Sequence, residues 1–526
     1  MLSKNQIHTV RVTDMNDLGY GVARIEGVVT LVENGVTEDV LTVKLIKVAR
    51  DYAVARIEAI AEPSLYRIAS DCAAFPRCGG CAFRHITREY ELSLKEAFVR
   101  QAFRKQRIEA DVLPVLTDGR VDGYRNKVQF PVGPGGVLGY YARHSHDIVP
   151  CGACRLTDPA LGPIAEAAAA YLRRTGAPVK HLYLRRGRAT GETMVCFVTA
   201  ERRLPAEDET VRSLTRAFPE VKSIVVNRQP NDSNVILGDE VRVLYGRDGI
   251  DDVLCGCRFT IASRAFYQVN PGAAALLYGE AIRLAAKDGA PDRVTDLYCG
   301  AGTIGIALAG RYPQTAVTGV EIVPEAVENA RRNAEQNGIR NARFLCADAG
   351  DAGLPESDVL IVDPPRKGLS PALIDRIVKA GIERVVYVSC EPDTLARDAA
   401  AFLAAGYRLG SVQPVDMFPR TGHVETVCLL SKLSEAKHHI SIQVDMDELD
   451  LTAAESKATY EEIQEWVQEK YGFHVTHLNI AQVKRKHGII ERENYNKPKS
   501  SDSKQPGCPE EKLKAIEAAL KHFQMI

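Results

Sequence analysis

Short hydrophobic runs alternate with polar residues along the first 65 positions of the chain. Residues 9–12, 28–32 and 41–45 are rich in β-branched side chains, and glycine turns at residues 17–19 and 34–35 separate them. Alternation with a period of two predicts half-buried strands joined by tight turns. We therefore expect residues 1–65 to fold as a small OB-like β-barrel, which either binds an oligonucleotide or serves only as a packing module.

The region from residue 66 to residue 257 mixes helical and strand patterns. It opens with a cysteine-rich segment at residues 72–81, continues with an amphipathic helix at about residues 92–106, and becomes strand-rich from about residue 120. This order predicts a mixed α+β central domain that carries a cysteine cluster.

Residues 258–433 repeat a unit of strand, loop and helix, which predicts a Rossmann-like α/β domain. The strand at residues 294–297 leads into Gly300-Ala301-Gly302-Thr303, a loop whose glycines let the backbone approach a ligand at a helix N-terminus. Later strands end at or near Glu321, Asp348 and Asp363, and such strand ends meet at one edge of a doubly wound sheet. Glu321 suits a ribose diol, which both dinucleotides and S-adenosylmethionine contain.

Two motifs decide between these two ligands. A nicotinamide dinucleotide would leave Asp363-Pro364-Pro365-Arg366 and Cys390 without a role. We therefore expect an S-adenosylmethionine site.

Composition narrows the class of protein further. The chain has 526 residues, 45% of them hydrophobic, and a formal charge of -1. It has no apolar run near the roughly 20 residues that span a bilayer, and no secretory signal at its start. We expect a cytoplasmic protein without a membrane partner, while the charge neither proves nor excludes RNA binding.

Cys390 and Glu425 lie 35 residues apart and are the candidate catalytic pair. A thiolate can add reversibly to C6 of a uracil, which makes C5 nucleophilic enough to accept a methyl group. A carboxylate must then remove the proton from C5, and Glu425 is the candidate base, with His423 as the alternative. The competing interpretations are a buried core cysteine and a surface glutamate paired with Arg420.

A base within a duplex is out of reach of such a pair, so the target base must be splayed or flipped into the pocket. Phe266 and Tyr267 are candidates for one wall of that pocket.

The cysteines near the front of the chain have the spacing of metal ligands. Cys72, Cys78, Cys81 and Cys154 read C-x5-C-x2-C…C, which suits an iron-sulfur cluster. Cys78 and Cys81 with Cys151 and Cys154 also form two C-x2-C pairs that suit zinc. Spacing alone leaves both metals open.

Several motifs together resemble the bacterial RNA uracil-5-methyltransferase family, in its iron-sulfur-containing 23S ribosomal RNA branch with an N-terminal TRAM domain. The matching motifs within residues 1–432 are Cys78-Gly79-Gly80-Cys81, Tyr124-Arg125-Asn126-Lys127, Phe266-Tyr267-Gln268-Val269-Asn270-Pro271, Asp296-Leu297-Tyr298-Cys299-Gly300-Ala301-Gly302, Asp363-Pro364-Pro365-Arg366-Lys367-Gly368 and Ser389-Cys390. The sequence departs from the family at Glu391, where Asn is frequent, and at Thr303, where some members have Asn.

The resemblance implies an enzyme that methylates C5 of a uridine in 23S ribosomal RNA through Cys390, with Glu425 as the base. It implies a [4Fe-4S] cluster on four of the five cysteines, without Cys151. The donor-binding residues that it implies, with the glycines of the loop, are Gln268, Tyr298, Gly300, Gly302, Thr303, Glu321, Asp348 and Asp363. A transfer-RNA enzyme and a non-catalytic RNA-binding ribosome-assembly factor are the alternatives. We expect no DNA partner and a monomer.

Residues 434–526 lie outside the usual boundary of that family. Their pattern predicts a strand at residues 440–444, three helices, and a polar linker near residues 500–504. The second helix carries Lys484, Arg485 and Lys486 and resembles part of a helix-turn-helix unit. The alternatives for this small, mostly helical extension are RNA binding, partner docking and a solvated tail.

Overall fold

A computed structural model describes residues 2–231, 235–350, 353–432, 460–487, 508–523 and 525. Its contacts divide the chain into two compact units, Met1–Glu435 and Ala436–Ile526. Within the described residues, no helix is both long and apolar enough to cross a membrane.

The N-terminal part is one six-stranded sheet in the order β1-β5-β6-β4-β3-β2. Alternate positions of its strands, such as Val10, Leu41 and Val43, form a buried apolar core. The strands predicted within residues 1–65 are thereby confirmed, while their closure into an OB-like barrel stays a prediction. The strands are β1 (Ile7–Arg11), β2 (Asp14–Met15), β3 (Tyr20–Ile25), β4 (Val28–Glu33), β5 (Val40–Val48) and β6 (Tyr52–Glu62).

Helix α1 (Arg88–Lys105) connects the cysteine-rich segment to the rest of the chain. It begins four residues before the predicted start because Thr87 caps it, accepting a hydrogen bond from the Tyr90 amide at 3.4 Å. The hydrophobic pattern does not mark this start, because the first turn is rich in charged residues and only Glu91 of that turn is buried.

The central part contains a seven-stranded sheet in the order β13-β12-β11-β10-β7-β8-β9. Helices α2 and α3 pack against it and cover a core that includes Leu182, Phe197 and Ile224. A hairpin, β14 and β15, leads to the last domain of this unit. The elements are β7 (Lys127–Gly133), β8 (Val137–Tyr141), β9 (Ile148–Pro150), α2 (Leu161–Thr175), β10 (Val179–Arg186), β11 (Thr193–Thr199), α3 (Glu207–Ala217), β12 (Val221–Arg228), β13 (Glu240–Gly246), β14 (Ile250–Leu254) and β15 (Cys257–Ile261).

The next elements build the Rossmann-like sheet that the alternating pattern predicts. Its order is β18-β17-β16-β19-β20-β23-β21, with β22 also pairing with β23. The strands from β18 to β20 are parallel, whereas β23 runs antiparallel to β20. The elements are α4 (Pro271–Ala285), β16 (Arg293–Leu297), α5 (Thr303–Arg311), β17 (Ala316–Glu321), α6 (Pro324–Gln336), β18 (Ala342–Cys346), β19 (Val359–Val362), α7 (Pro371–Lys379), β20 (Arg384–Ser389), α8 (Pro392–Ala404), β21 (Tyr407–Leu409), β22 (Gln413–Val415) and β23 (Glu425–Lys432).

The second unit contains α9 (Tyr460–Tyr471), α10 (His477–Lys486) and α11 (Glu510–His522), which share one apolar core. The three predicted helices are therefore confirmed, while the predicted strand at residues 440–444 and the linker near residues 500–504 lie outside the described residues. Two of the three basic residues on α10 are engaged within the unit. Lys484 is buried over the ring of Tyr460, and Lys486 pairs with Glu517 at 3.2 Å. The basic face that the sequence predicts for RNA is correspondingly smaller.

Candidate active site

Cys390 and Glu425 face each other at the ends of two neighbouring strands. The antiparallel register pairs Ser389 of β20 with Thr426 of β23, and the Thr426 hydroxyl donates to the Ser389 carbonyl at 3.1 Å. Cys390 directly follows β20 and Glu425 is the first residue of β23, so this pairing places the two residues side by side, and the Glu425 charge contributes to the raised pKa of Cys390. Glu425 is buried and Cys390 is half-buried. The structure thus brings the two predicted catalytic residues together.

Burial in the pocket around this pair raises the pKa of Glu425, Asp363 and Cys390. Burial, with the charge of Asp363, raises the pKa of Glu425 to about 8. Burial also raises the pKa of Asp363 to about 6. Burial, with the charges of Glu425 and Asp363, raises the pKa of Cys390 to about 11, while the charge of Arg366 and a backbone hydrogen bond oppose this shift. A cation bound here would offset the two carboxylates and favour the thiolate.

A cavity lies beside the pair at the carboxyl ends of β16 and β19. Between β16 and α5 the backbone has positive φ angles at Tyr298, Gly300 and Gly302. A Cβ on Gly302 would lie 2.9 Å from a ring carbon of Phe344, so only glycine fits there. The residues that line the cavity are Phe266, Tyr267, Gln268, Tyr278, Asp296, Tyr298, Cys299, Gly300, Ala301, Thr303, Ile304 and Asp363.

Five of the eight predicted donor residues therefore line this cavity. The five are Gln268, Tyr298, Gly300, Thr303 and Asp363.

The other three lie around the cavity loop. Glu321 accepts from the amides of Gly300 at 3.1 Å and Val323 at 2.9 Å. Gly302 caps α5, and Asp348 lies close enough for its charge to add to the effect of burial in raising the pKa of Tyr298.

The Tyr124–Lys127 motif supports the site from the central domain. Asn126 donates from its amide to the backbone carbonyl of Gln268 at 3.3 Å, and the Tyr124 hydroxyl donates to the carbonyl of Pro419 at 3.1 Å. The motif thus holds the backbone of Gln268 in the cavity wall and that of Pro419 in the loop before Glu425.

The cysteine-rich segment folds around a second cavity, of about 210 Å³. Its walls include all five cysteines of the two predicted ligand sets, together with Arg84, Arg125 and Lys127. These five are Cys72, Cys78, Cys81, Cys151 and Cys154. Cys151 hydrogen-bonds to Cys154 and lowers the pKa of that thiol. Within the described part of the chain, no three His, Cys, Asp or Glu side chains are arranged as a metal site.

Comparisons with known proteins agree with this architecture. A family model described as a methyltransferase domain matches residues 289–404. A Bacillus cereus protein named "uncharacterized RNA methyltransferase" is 38% identical over 458 residues, covering 82% of this chain and 98% of that protein. A similarly named Listeria innocua protein is 37% identical over 452 residues, covering 82% of this chain and 99% of that protein.

The chain belongs to this RNA methyltransferase family. Among solved structures, the methyltransferase is similar to the Pyrococcus abyssi tRNA (uracil-54, C5)-methyltransferase, which was crystallised with S-adenosyl-L-homocysteine. The TM-score is 0.67 at 28% identity, over 80% of this chain and 99% of the other.

Two cavity residues of the methyltransferase escaped the sequence interpretation. Tyr278 hydrogen-bonds to Thr303 and Gln268, but its position inside α4 has the pattern of an ordinary core residue. Asp296 is fully buried, and one of its carboxylate oxygens accepts from Gly305 at 3.0 Å. The other oxygen has no hydrogen-bond partner among the described residues. The sequence does carry a signal for Asp296, because it is an acidic residue within an apolar strand. A carboxylate buried in this way needs hydrogen-bond partners, from the protein or from a ligand.

Both predicted residues of the aromatic wall line the cavity, but they differ in exposure. Phe266 is exposed at the mouth of the cavity, whereas Tyr267 is buried and donates from its hydroxyl to Asp252 at 3.3 Å. Phe266 is therefore the more accessible of the two to a substrate.

Proposed function

We propose that this methyltransferase transfers a methyl group from S-adenosylmethionine to C5 of a uridine in 23S ribosomal RNA. The observation that carries the proposal is that the pairing of β20 with β23 places Cys390 next to Glu425, beside the cavity that Asp363 lines. Nucleophile, base and donor cavity then share one edge of the sheet, as the reaction needs. The likeness to a solved tRNA (uracil-54, C5)-methyltransferase supports the choice of base and atom.

The proposed chemistry uses Cys390 first as a nucleophile and finally as a leaving group. Its thiolate adds to C6 of the uracil, and the electron pair of the C5–C6 double bond moves to form the enolate. C5 then takes the methyl group from the sulfonium. Glu425 removes the remaining proton from C5, and the C6–S bond breaks as the double bond re-forms. The raised pKa of Glu425 makes it a stronger base than an ordinary carboxylate.

The cavity beside β16 suits the methyl donor. Its glycines allow a close backbone approach, and the unpaired oxygen of Asp296 can accept a hydrogen bond from a bound ligand. Asp363 supplies negative charge for a sulfonium cation. In our proposal, Glu321 holds the loop and the ribose, while Gln268, Tyr298, Gly300, Gly302, Thr303 and Asp348 complete the donor site.

We further infer that the N-terminal sheet is an OB-like barrel of the TRAM type and that Cys72, Cys78, Cys81 and Cys154 hold a [4Fe-4S] cluster. Support for this inference comes from the lining of one cavity, where these thiols lie with cationic side chains that would offset the charge of a thiolate-ligated cluster. Zinc is the alternative metal. A methyl transfer moves no net electrons, so we assign the cluster a role in shaping the protein around the RNA.

A second candidate substrate is transfer RNA, because the similar Pyrococcus abyssi protein is a tRNA (uracil-54, C5)-methyltransferase. Mapping 5-methyluridine by mass spectrometry in ribosomal and transfer RNA, from cells with and without the gene, separates the two. Loss of one 5-methyluridine from 23S RNA supports our proposal, and loss from tRNA replaces it with the second candidate. Complementation with Cys390→Ala is the control and should restore neither.

A further inference from the structure

The turn between β2 and β3 of the N-terminal sheet packs against the loop that leads to β23. A Cβ on Gly422 of that loop would lie 1.8 Å from the carbonyl oxygen of Asp17. A Cβ on Gly19 of the turn would lie 2.4 Å from the carbonyl oxygen of Ala82. Contacts this close exist only because both residues are glycines. The turn is therefore seated directly on backbone next to the candidate active site.

Arg420 completes this junction. Its carbonyl oxygen accepts from the amides of Ala82 at 2.9 Å and Phe83 at 3.1 Å. Three segments therefore meet here, and each contacts the other two. They are the turn between β2 and β3, the segment at Ala82 and Phe83, and the loop before Glu425. A displacement of any one segment would disturb the other two.

The turn itself is rigid and presents exposed side chains. Asn16 accepts from the Tyr20 amide through its side chain at 2.9 Å and from the Gly19 amide through its carbonyl at 3.0 Å. Gly19 and Tyr20 are buried, whereas Leu18 is 59% exposed. A large apolar side chain is thus held in solvent by a turn that has little freedom to bury it.

The charge of Asp17 shows how near this turn lies to the reacting groups. Burial raises the pKa of Glu391, which follows Cys390, and the Asp17 charge adds to that rise. Burial lowers the pKa of His423, two residues before Glu425, and the same charge opposes that shift. A negative side chain at this place repels an RNA phosphate, so the favourable contact for RNA here is with an uncharged base.

We propose that Leu18 contacts an unpaired nucleobase beside the target uridine and stabilises the RNA in its opened form. This inference rests on the proposed function, since Cys390, half-buried at the end of β20, reaches the uracil ring only when the uridine leaves its stack. Apolar side chains inserted beside bases stabilise such unstacked nucleic acid. The fixed turn lowers the entropy cost of this contact.

The test compares Leu18→Ala, Leu18→Phe and a control, Leu65→Ala, whose side chain is 90% exposed in the linker after β6. Each enzyme is given two RNAs with the same target sequence, one a folded stem-loop and one an unstructured oligonucleotide. We expect Leu18→Ala to lower kcat/KM about tenfold on the stem-loop, a typical effect of losing one base contact, and less than twofold on the unstructured RNA. Leu18→Phe and Leu65→Ala should match the wild type on both.

A second measurement follows the RNA directly. 2-Aminopurine next to the target uridine should brighten when the stem-loop binds the wild type, and brighten much less with Leu18→Ala. Wild-type behaviour of Leu18→Ala on the stem-loop, or an equal loss on both RNAs, would overturn the inference. If the wild type makes no 5-methyluridine in either RNA, the proposed function fails instead, and the 2-aminopurine signal still decides whether Leu18 opens the RNA.

Discussion

Lys95 in α1 and Asp416 in the loop before Glu425 form an ion pair in which neither side chain has exposed surface. Glu91 lies 3.3 Å from the Lys95 ammonium, and Arg88 pairs with both Asp416 and Glu91. Charges buried this completely are tolerated only when each has a partner. The network therefore fixes the loop that carries Arg420 and Gly422 to a helix outside the Rossmann-like sheet.

Substituting Lys95 by Met should destabilise the protein strongly. The change leaves Asp416 and Glu91 with one buried cation fewer, which typically costs about 3–5 kcal/mol. Lys105→Met is the matched control, because Lys105 pairs with Asp393 at the surface and such pairs contribute less than about 1 kcal/mol. Denaturant unfolding of both variants checks this expectation, and equal midpoints would contradict it.

Substituting Cys390 by Ala should abolish methyl transfer and leave donor affinity within about twofold of the wild type. Cys390 is absent from the lining of the donor cavity, so the thiol acts on the base and not on the donor. Calorimetry with S-adenosylhomocysteine and a transfer assay measure the two quantities. Cys346→Ala changes an exposed cysteine and serves as the control. Turnover of Cys390→Ala near the wild-type rate would rule out covalent catalysis by this residue.

Substituting Glu425 by Gln should trap the RNA on the enzyme. Cys390 can still add to C6 and the methyl group can still transfer, but the amide cannot remove the proton from C5. A protein–RNA adduct that survives denaturation should therefore accumulate and run as a shifted band on a denaturing gel. Glu391→Gln changes the neighbouring carboxylate and should release its product normally. If Glu425→Gln turns over freely without an adduct, His423 becomes the candidate base.

The rate of methyl transfer should rise with pH. Glu425 acts as a base only when ionised, and its pKa is raised to about 8, so below that pH most of the enzyme carries the inactive protonated form. The Cys390 thiolate also becomes more abundant as pH rises toward its pKa of about 11. Both effects have the same sign. Between pH 6 and 8 we expect kcat, measured at saturating RNA, to increase up to about tenfold per pH unit if the loss of one proton limits the rate, and more steeply if both losses do. A falling profile would contradict these assignments.

The sequence predicted much of this arrangement because local patterns determine the positions of strands and loops. The predicted strand at residues 294–297 begins one residue late, and the strand predicted to end near Asp363 is β19, which ends at Val362. Cys390 and Glu425 follow from motif chemistry, but their opposition depends on a strand register that joins residues 35 positions apart. No local pattern encodes that register.

Contacts between distant segments explain what the sequence interpretation missed. In the sequence, Gly422 and Gly19 cannot be distinguished from ordinary turn glycines. The structure shows that their lack of a side chain lets Asp17 pack against Gly422 and Ala82 against Gly19. The Lys95–Asp416 pair spans 321 positions, and a lysine in an amphipathic helix is normally assigned to its solvent face. Cys151 was set aside because the family pattern needs four thiols, whereas the fold puts it in the same cavity as Cys154.

The metal proposed for the cysteine-lined cavity can be identified directly. If Cys72, Cys78, Cys81 and Cys154 hold a [4Fe-4S] cluster, protein purified without oxygen should be brown and contain about four irons per chain. Serine at any of these four positions should lower the iron content, because each removes a thiolate ligand. Cys151→Ser should keep its iron, yet it loses the thiol beside Cys154 and should alter how fast the colour bleaches in air. Iron analysis with visible absorbance measures both, and colourless active protein with one zinc per chain would refute the cluster.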